Sequence, residues 1–149
     1  MGGRVGVLVS GDGSNLQALL DAGLPVVAVA SSAAGVRALA RAEAAGVPAA
    51  VFRLEDHADR DERDAAMADW LESYGADLVV SAGYMQLLRP VFLDRFPGRV
   101  VNVHPALLPA FPGLHAVEDA LAAGADETGA SVHFVDEGVD TGPVLRQEP

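Results

Sequence analysis

An asparagine and a histidine two residues apart are the first candidates for chemistry in this sequence. Asn102 and His104 lie in an apolar run from Val100 to Pro105, and a β-strand would place them on one face. An imidazole exchanges protons near neutral pH, and a carboxamide both donates and accepts hydrogen bonds. Ligands of open α/β sheets bind where the strands end, so the pair suits a polar site there. The alternative is that the two side chains only cap a buried strand.

A glycine-rich turn near the start of the chain is a second candidate site. The apolar run Val5 to Val9 is followed by Ser10 to Asn15, and leucines then recur at helical spacing, which predicts a strand, a turn and a helix. Amide groups at the start of such a helix bind anions, and phosphate is the natural ligand. The spacing matches neither the P-loop nor the dinucleotide fingerprint. Such turns also occur without a ligand, and the charge of Asp12 opposes an anion.

The segment from Ser81 to Leu88 is a third feature, because it is apolar and follows a predicted strand at Asp77 to Val80. It either lines a pocket for a flat heterocycle or belongs to the core. Before that strand, the charged segment from Glu55 to Arg63 predicts a solvated start of a helix.

Strand and helix patterns alternate along the rest of the chain without a repeat or linker. This alternation predicts an α/β fold with a doubly wound, mostly parallel sheet and helices on both faces. The other predicted strands are Pro25 to Ala30, Ala49 to Phe52, Ala130 to Val135 and Pro143 to Arg146, and the other predicted helices are Val36 to Ala45, a helix through Met67 to Leu71, one starting at Pro90, and Ala116 to Ala123.

Composition excludes several classes of function. The 149 residues suit one domain, and the net charge of −11 disfavours nucleic acid as a partner. All ten basic residues are arginine, so lysine chemistry is excluded. There is no cysteine and no histidine pair at metal-ligand spacing, so we expect no metal. The sequence has no apolar run of the roughly 18 residues that a membrane span requires, and we expect a cytoplasmic protein.

Four motifs, in order and properly spaced, give the chain a close resemblance to the folate-dependent formyltransferase family, in particular the glycinamide ribonucleotide transformylases of purine biosynthesis. The resemblance runs over essentially all 149 residues and implies a Rossmann-like formyltransferase fold. The motifs are Ser10-Gly11-x-Gly13-Ser14-Asn15-Leu16-Gln17, Ala82-Gly83-Tyr84-Met85, Asn102-Val103-His104-Pro105-x-Leu107-Leu108-Pro109, and Ser131-Val132-His133-Phe134-Val135 followed by Asp140-x-Gly142-Pro143.

The resemblance implies specific site residues. The implied catalytic residues are Asn102, His104 and Asp140, and the residues on the phosphate side of the ribonucleotide are Gly13, Ser14 and Asn15. The implied folate-binding residues are Arg60, Met85, Gln86, Leu87, Leu88, Asn102, Asp136, Glu137, Gly138, Val139 and Asp140. Arg63 lies close enough to Arg60 in the sequence to be an alternative folate contact.

The implied reaction is formyl transfer from 10-formyltetrahydrofolate to the amine of 5-phosphoribosylglycinamide, with small molecules as the only partners; the oligomeric state is left open. Residues 1–149 are then expected to form a single formyltransferase domain without the family's usual C-terminal strand turn and long helix. Alternative functions are a formyltetrahydrofolate hydrolase, another folate formyltransferase such as methionyl-tRNA formyltransferase, and a truncated, non-catalytic folate-binding module. The glycine-serine-asparagine turn favours a small phosphorylated acceptor, and the acidic charge disfavours tRNA.

Overall fold

The computed structural model describes residues 3–104, 130–134 and 144–148, which form one sheet with helices on both faces. The strands are β1 (Val5–Val9), β2 (Val26–Ser31), β3 (Ala49–Val51), β4 (Leu78–Ser81), β5 (Val100–His104), β6 (Ala130–Phe134) and β7 (Val144–Glu148). The helices are α1 (Ser14–Asp21), α2 (Arg37–Ala44), α3 (Arg60–Ser73) and α4 (Pro90–Leu93), with a 3-10 helix at Leu54–Asp56.

The sheet confirms the predicted doubly wound, mostly parallel arrangement. Its strand order is β3-β2-β1-β4-β5-β6-β7. The five strands from β3 to β5 are parallel, whereas β6 and β7 run antiparallel to their neighbours. The sequence did not predict this antiparallel edge, because an apolar run indicates a strand but not its direction.

Successive residues of a strand point to opposite faces of the sheet and pack against different helices. Val7 of β1 belongs to a core with Leu16 of α1 and Ala38 of α2. Leu8 belongs to the opposite core with residues of α3 and α4, such as Phe92. All five residues of β1 are buried, as expected for a central parallel strand covered on both faces.

The element boundaries differ slightly from those predicted. Strand β2 begins at Val26 rather than at Pro25, whose ring nitrogen has no hydrogen to donate to a neighbouring strand. Helix α3 begins after Asp59, whose side chain accepts a hydrogen bond from the Glu62 amide at 2.8 Å and so caps the helix. The predicted helix at 116–123 lies outside the described residues. No helix in the described part of the chain is long and apolar enough to cross a membrane.

The core on the α3 face generates a stability prediction. Leu71 of α3 is fully buried, with no exposed surface, so Leu71→Ala should lower the free energy of unfolding by about 2–5 kcal/mol. Leu24 is 44% exposed, and Leu24→Ala should change it by less than about 0.5 kcal/mol. Urea unfolding of both variants checks this contrast, and equal effects would contradict the assignment of the core.

Candidate functional site

The carboxyl ends of β1, β4 and β5 lie side by side and define the candidate site. Leu8 pairs in register with Ser81, and Ser81 pairs with Asn102. After β1 the chain enters α1 on one face of the sheet, whereas after β4 it enters α4 on the other. Ligands of open α/β sheets bind in the crevice that such a divergence leaves.

The hydroxyl of Ser10 connects the segments that leave three strands. Ser10 follows β1, and its Oγ accepts a hydrogen bond from the Met85 amide of the segment after β4 at 2.8 Å. The same oxygen is hydrogen-bonded to Ser32 Oγ, just after β2, at 2.6 Å. The half-buried Ser10 side chain therefore connects the two walls of the crevice, which are the turn after β1 and the segment after β4.

Gly13 determines the shape of the glycine-rich turn. Its φ is 79°, in the left-handed region, and it occupies the N-cap position of α1. A Cβ at this position would lie 2.6 Å from Ala38 Cβ and 2.7 Å from Ala38 Cα of α2. The structure therefore shows close packing of Gly13 against α2 together with a backbone conformation that favours glycine.

The residues after Gly13 are open to a ligand. Ser14 and Asn15 are exposed, and no side chain of the described residues caps the helix that they begin. The first amide groups of a helix have no acceptor within that helix and carry its positive dipole end. Asp12, whose charge counted against an anion, is paired with Arg41 at 3.3 Å and with Arg37 at 3.6 Å. That objection to phosphate is therefore weakened.

The segment after β4 contains both buried and exposed side chains. Tyr84 and Leu88 are buried, with 8% and 5% exposure, and belong to the core. Met85 and Leu87 are 54% and 46% exposed, and Gln86 between them is half-buried. Two side chains therefore anchor the segment in the core, while two apolar side chains remain exposed.

A buried ion pair holds the far end of this segment. Asp64 of α3 is fully buried, and its Oδ2 accepts a hydrogen bond from the Arg89 amide at 2.7 Å. Its Oδ1 accepts from Arg63 Nε, also at 2.7 Å. Together with the bond between Ser10 and Met85, this contact fixes both ends of the segment between Met85 and Arg89.

The prediction of a solvated helix start is wrong for Arg63. Its side chain is 1% exposed, and among the described residues its Nη1 and Nη2 have no hydrogen-bond partner. The local run of charges gave no sign of this burial, because the buried partner Asp64 is itself held by the distant Arg89 amide. Arg60, the predicted folate contact, is an exposed residue that begins α3.

The structure describes the predicted catalytic residues only in part. Asn102 is half-buried in β5 between β4 and β6. His104 ends β5, with its backbone in register with Ser131 of β6. The predicted loop residues Asp136, Glu137, Gly138, Val139 and Asp140 lie outside the described residues. In the part of the chain that is described, no three His, Cys, Asp or Glu side chains are grouped to hold a metal ion.

Two positioning residues were missed by the sequence-based predictions. Ser10 lay within a quoted motif, yet its bond to an amide 75 residues away has no local signature. Asp64 lay among other charged residues of a predicted helix, and its burial depends on the fold. The sequence did offer one signal for Ser10, namely its position as a polar residue directly after the central strand β1.

Comparisons with known proteins agree over nearly the whole chain. A family model described as Formyl transferase matches residues 3–149. Phosphoribosylglycinamide formyltransferase from Mycobacterium tuberculosis (strain CDC 1551 / Oshkosh) is 52% identical over 150 residues, covering 98% of this chain and 70% of that protein. The structure of glycinamide ribonucleotide transformylase 1 from Symbiobacterium toebii superimposes with a TM-score of 0.95 at 47% identity, covering 99% of this chain and 72% of the other. For phosphoribosylglycinamide formyltransferase from Streptococcus pneumoniae TIGR4, the TM-score is 0.94 at 41% identity, covering 98% and 81%.

The contact between Gly13 and α2 can be tested with a matched glycine. Gly35 also has a positive φ, of 69°, but a Cβ there would meet nothing within 4 Å. Both Gly13→Ala and Gly35→Ala should lose about 1–2 kcal/mol from the left-handed backbone. Gly13→Ala should lose roughly a further 1–3 kcal/mol from overpacking against Ala38. Chemical denaturation measures both, and equal losses would mean that the turn does not pack against α2 as described.

Burial of the Tyr84 phenol makes stability depend on alkaline pH. Burial raises the pKa of Tyr84 above its ordinary value; the charge of Arg63 lowers it and that of Asp64 raises it, each by less. The folded state therefore keeps a proton that the unfolded state releases above about pH 10. The free energy of unfolding should fall as pH rises from about 9 to 11, with a slope approaching about 1.4 kcal/mol per pH unit.

The chain offers a clean control for this effect, because it contains two tyrosines and neither lysine nor cysteine. Tyr84→Phe should remove most of the alkaline loss of stability. Tyr74→Phe should leave it in place, since Tyr74 is 39% exposed. Unfolding curves at several pH values give the slopes, and an undiminished slope in Tyr84→Phe would contradict the assigned burial.

Proposed function

We propose that this chain, which belongs to the formyl transferase family, transfers a formyl group from 10-formyltetrahydrofolate to the amine of 5-phosphoribosylglycinamide. This reaction is a step of purine biosynthesis. The observation that carries the proposal is the bond between Met85 N and Ser10 Oγ. This bond supports the proposal because it joins a turn suited to phosphate to an apolar segment suited to a flat ring across one crevice.

The turn after β1 takes the phosphate of the ribonucleotide in this proposal. Gly13 supplies the left-handed conformation, and the exposed residues Ser14 and Asn15 supply backbone amides at the start of α1. The sequence contains no lysine, so the phosphate is bound chiefly through backbone amides and the helix dipole.

The segment after β4 takes the folate ring. The exposed side chains of Met85 and Leu87 offer an apolar surface, and the backbone between them offers hydrogen-bonding groups to a heterocycle edge. Gln86 and Leu88 complete the segment, and Asn102 lies on the neighbouring strand β5. The family resemblance adds Arg60 and the residues from Asp136 to Asp140 as proposed folate contacts.

The formyl carbon is then transferred between two nitrogens without a covalent enzyme intermediate. The ribonucleotide amine forms the new C–N bond, and the bond from the formyl carbon to the folate nitrogen breaks. Asn102 donates a hydrogen bond to the oxygen on which negative charge develops. His104, as an imidazolium, adds to that stabilisation and protonates the leaving nitrogen. Asp140 favours the charged form of His104. The proton that the attacking amine loses returns to His104 with the assistance of Asp140, directly or through water, so that no net proton is gained or lost.

We extend the proposal to the organisation and setting of the protein. All described strands belong to one sheet, which supports a single formyltransferase domain over residues 1–149. The substrates are small molecules, with neither nucleic acid nor membrane as a partner, and the compartment is the cytoplasm, where the absence of cysteine is unremarkable.

A single assay tests the proposed function. The purified protein is incubated with 10-formyltetrahydrofolate, with and without 5-phosphoribosylglycinamide, and deformylated folate and formylated ribonucleotide are quantified. We expect release of deformylated folate only with the ribonucleotide, in a one-to-one ratio with the formylated product. Equal release without the ribonucleotide would instead identify a hydrolase, and folate binding without turnover would identify a binding module.

The role of Asp140 makes a prediction about pH. Activity should fall at alkaline pH as His104 loses its proton. Asp140→Asn should move this fall to lower pH, because the negative charge that favours the imidazolium is gone. The maximal rate should also drop by roughly 100- to 10,000-fold.

The measurement is a pH–rate profile for both proteins, with thermal midpoints as a control for folding. If Asp140 only stabilises its loop, the variant will have a lower midpoint while its folded fraction keeps the original profile. An unshifted alkaline limb with near-normal turnover would remove Asp140 from the mechanism.

A further inference from the structure

The glycine-rich turn is held by a side chain from a different helix. Arg41 of α2 donates from Nε to the Asp12 backbone oxygen at 2.8 Å and from Nη2 to Asp12 Oδ2 at 3.3 Å. Its Nη1 donates to Gln17 Oε1 of α1 at 3.3 Å. The Arg41 side chain is only 20% exposed. Three donors of one planar guanidinium therefore contact the turn and the helix that follows it.

Helix α2 donates hydrogen bonds to two successive carbonyl groups of the turn. The Ala38 amide donates to Gly11 O at 3.0 Å, and Arg41 Nε donates to Asp12 O. In a planar trans peptide the N–H points opposite to the C=O. The amides of Asp12 and Gly13 are therefore directed away from α2. Close packing of Gly13 on Ala38 leaves this part of the backbone little room to rotate.

Arg41 also compensates the charge nearest to the phosphate side of the turn. Asp12 is 56% exposed, and an unpaired carboxylate there would repel a bound phosphate. Arg37 is also paired with Asp12, but at 3.6 Å and with 73% of its own side chain exposed. An exposed pair of this kind contributes little, so the compensation depends mainly on Arg41.

We propose that Arg41 is a positioning residue for phosphate binding: it fixes the Asp12 carbonyl and neutralises the Asp12 carboxylate, so that the amides from Asp12 to Asn15 bind the phosphate of the ribonucleotide. This inference rests on the proposed function. It assigns to α2 an indirect part in substrate binding, through the hydrogen bonds of Arg41.

The test compares Arg41→Gln with Arg37→Gln. Arg41→Gln should raise KM for 5-phosphoribosylglycinamide about 10- to 100-fold, the range expected for loss of hydrogen bonds from a charged group. The KM for 10-formyltetrahydrofolate and kcat at saturation should stay within about twofold, because the segment after β4 is held by other contacts. Arg37→Gln should change the ribonucleotide KM less than about threefold.

Two further variants separate charge from geometry and guard against simple misfolding. Arg41→Lys keeps the charge but not the planar fork, so its KM for the ribonucleotide should be intermediate. Adding Asp12→Asn to Arg41→Gln should restore part of the affinity, because it removes the uncompensated carboxylate. Direct titration with ribose 5-phosphate should reproduce the order of affinities seen with the full ribonucleotide.

An unchanged ribonucleotide KM in Arg41→Gln would overturn the inference while leaving the proposed function intact. An equal rise in both KM values would also overturn it, since that pattern indicates a general loss of structure. If the unaltered protein binds 10-formyltetrahydrofolate but not the ribonucleotide, the proposed function itself fails and the inference fails with it.

Discussion

The structure depends on the hydrogen bonds of one hydroxyl group, that of Ser10, at the point where the parallel sheet changes winding direction. Strands β1 and β4 are neighbours, but the chain leaves them toward opposite faces. Such a divergence opens a crevice between the segments that follow the two strands. The bond from Met85 N to Ser10 Oγ connects these segments at 2.8 Å. The geometry of any reaction between two ligands in the crevice then depends on how firmly these walls are held.

Each wall has a second support that comes from a neighbouring helix. On the β1 side, Arg41 and Ala38 of α2 bind the backbone oxygens of the turn. On the β4 side, the carboxylate of Asp64 in α3 binds the Arg89 amide. Burying Asp64 and Arg63 costs desolvation free energy, so the presence of this ion pair is weak evidence that it stabilises the folded state. Their place at the end of the crevice segment gives them a structural purpose, namely to fix where that segment returns to the core.

Much of the fold was predictable from local patterns. Short β-branched runs such as Val5–Val9 identify strands, and the glycines and helical spacing after them identify turns and helices. Their alternation then implies a doubly wound sheet. The turn at Gly13 and the apolar segment at Met85 were likewise visible as candidate site features, because both immediately follow predicted strands.

The contacts that organise the site were not predictable, because they join residues far apart in the sequence. In the sequence, Asp12 is an uncompensated charge and Arg63 belongs to a charged segment that is predicted to be solvated. In the structure, Arg41 pairs with Asp12, and Arg63 is buried. The segment after β4 could be divided into buried and exposed side chains only with the sheet in place. Burial and long-range pairing are properties of the fold, and neither has a period or spacing in the sequence.

Amide chemical shifts of the ¹⁵N-labelled protein test whether the two proposed substrates bind opposite walls of one crevice. Titration with 5-phosphoribosylglycinamide is predicted to give its largest shifts at the amides from Gly11 to Asn15. Titration with tetrahydrofolate is predicted to give its largest shifts from Met85 to Arg89. Largest shifts at the same amides for both ligands, or a ribonucleotide response confined to the segment after β4, would show that the two ligands do not occupy opposite walls.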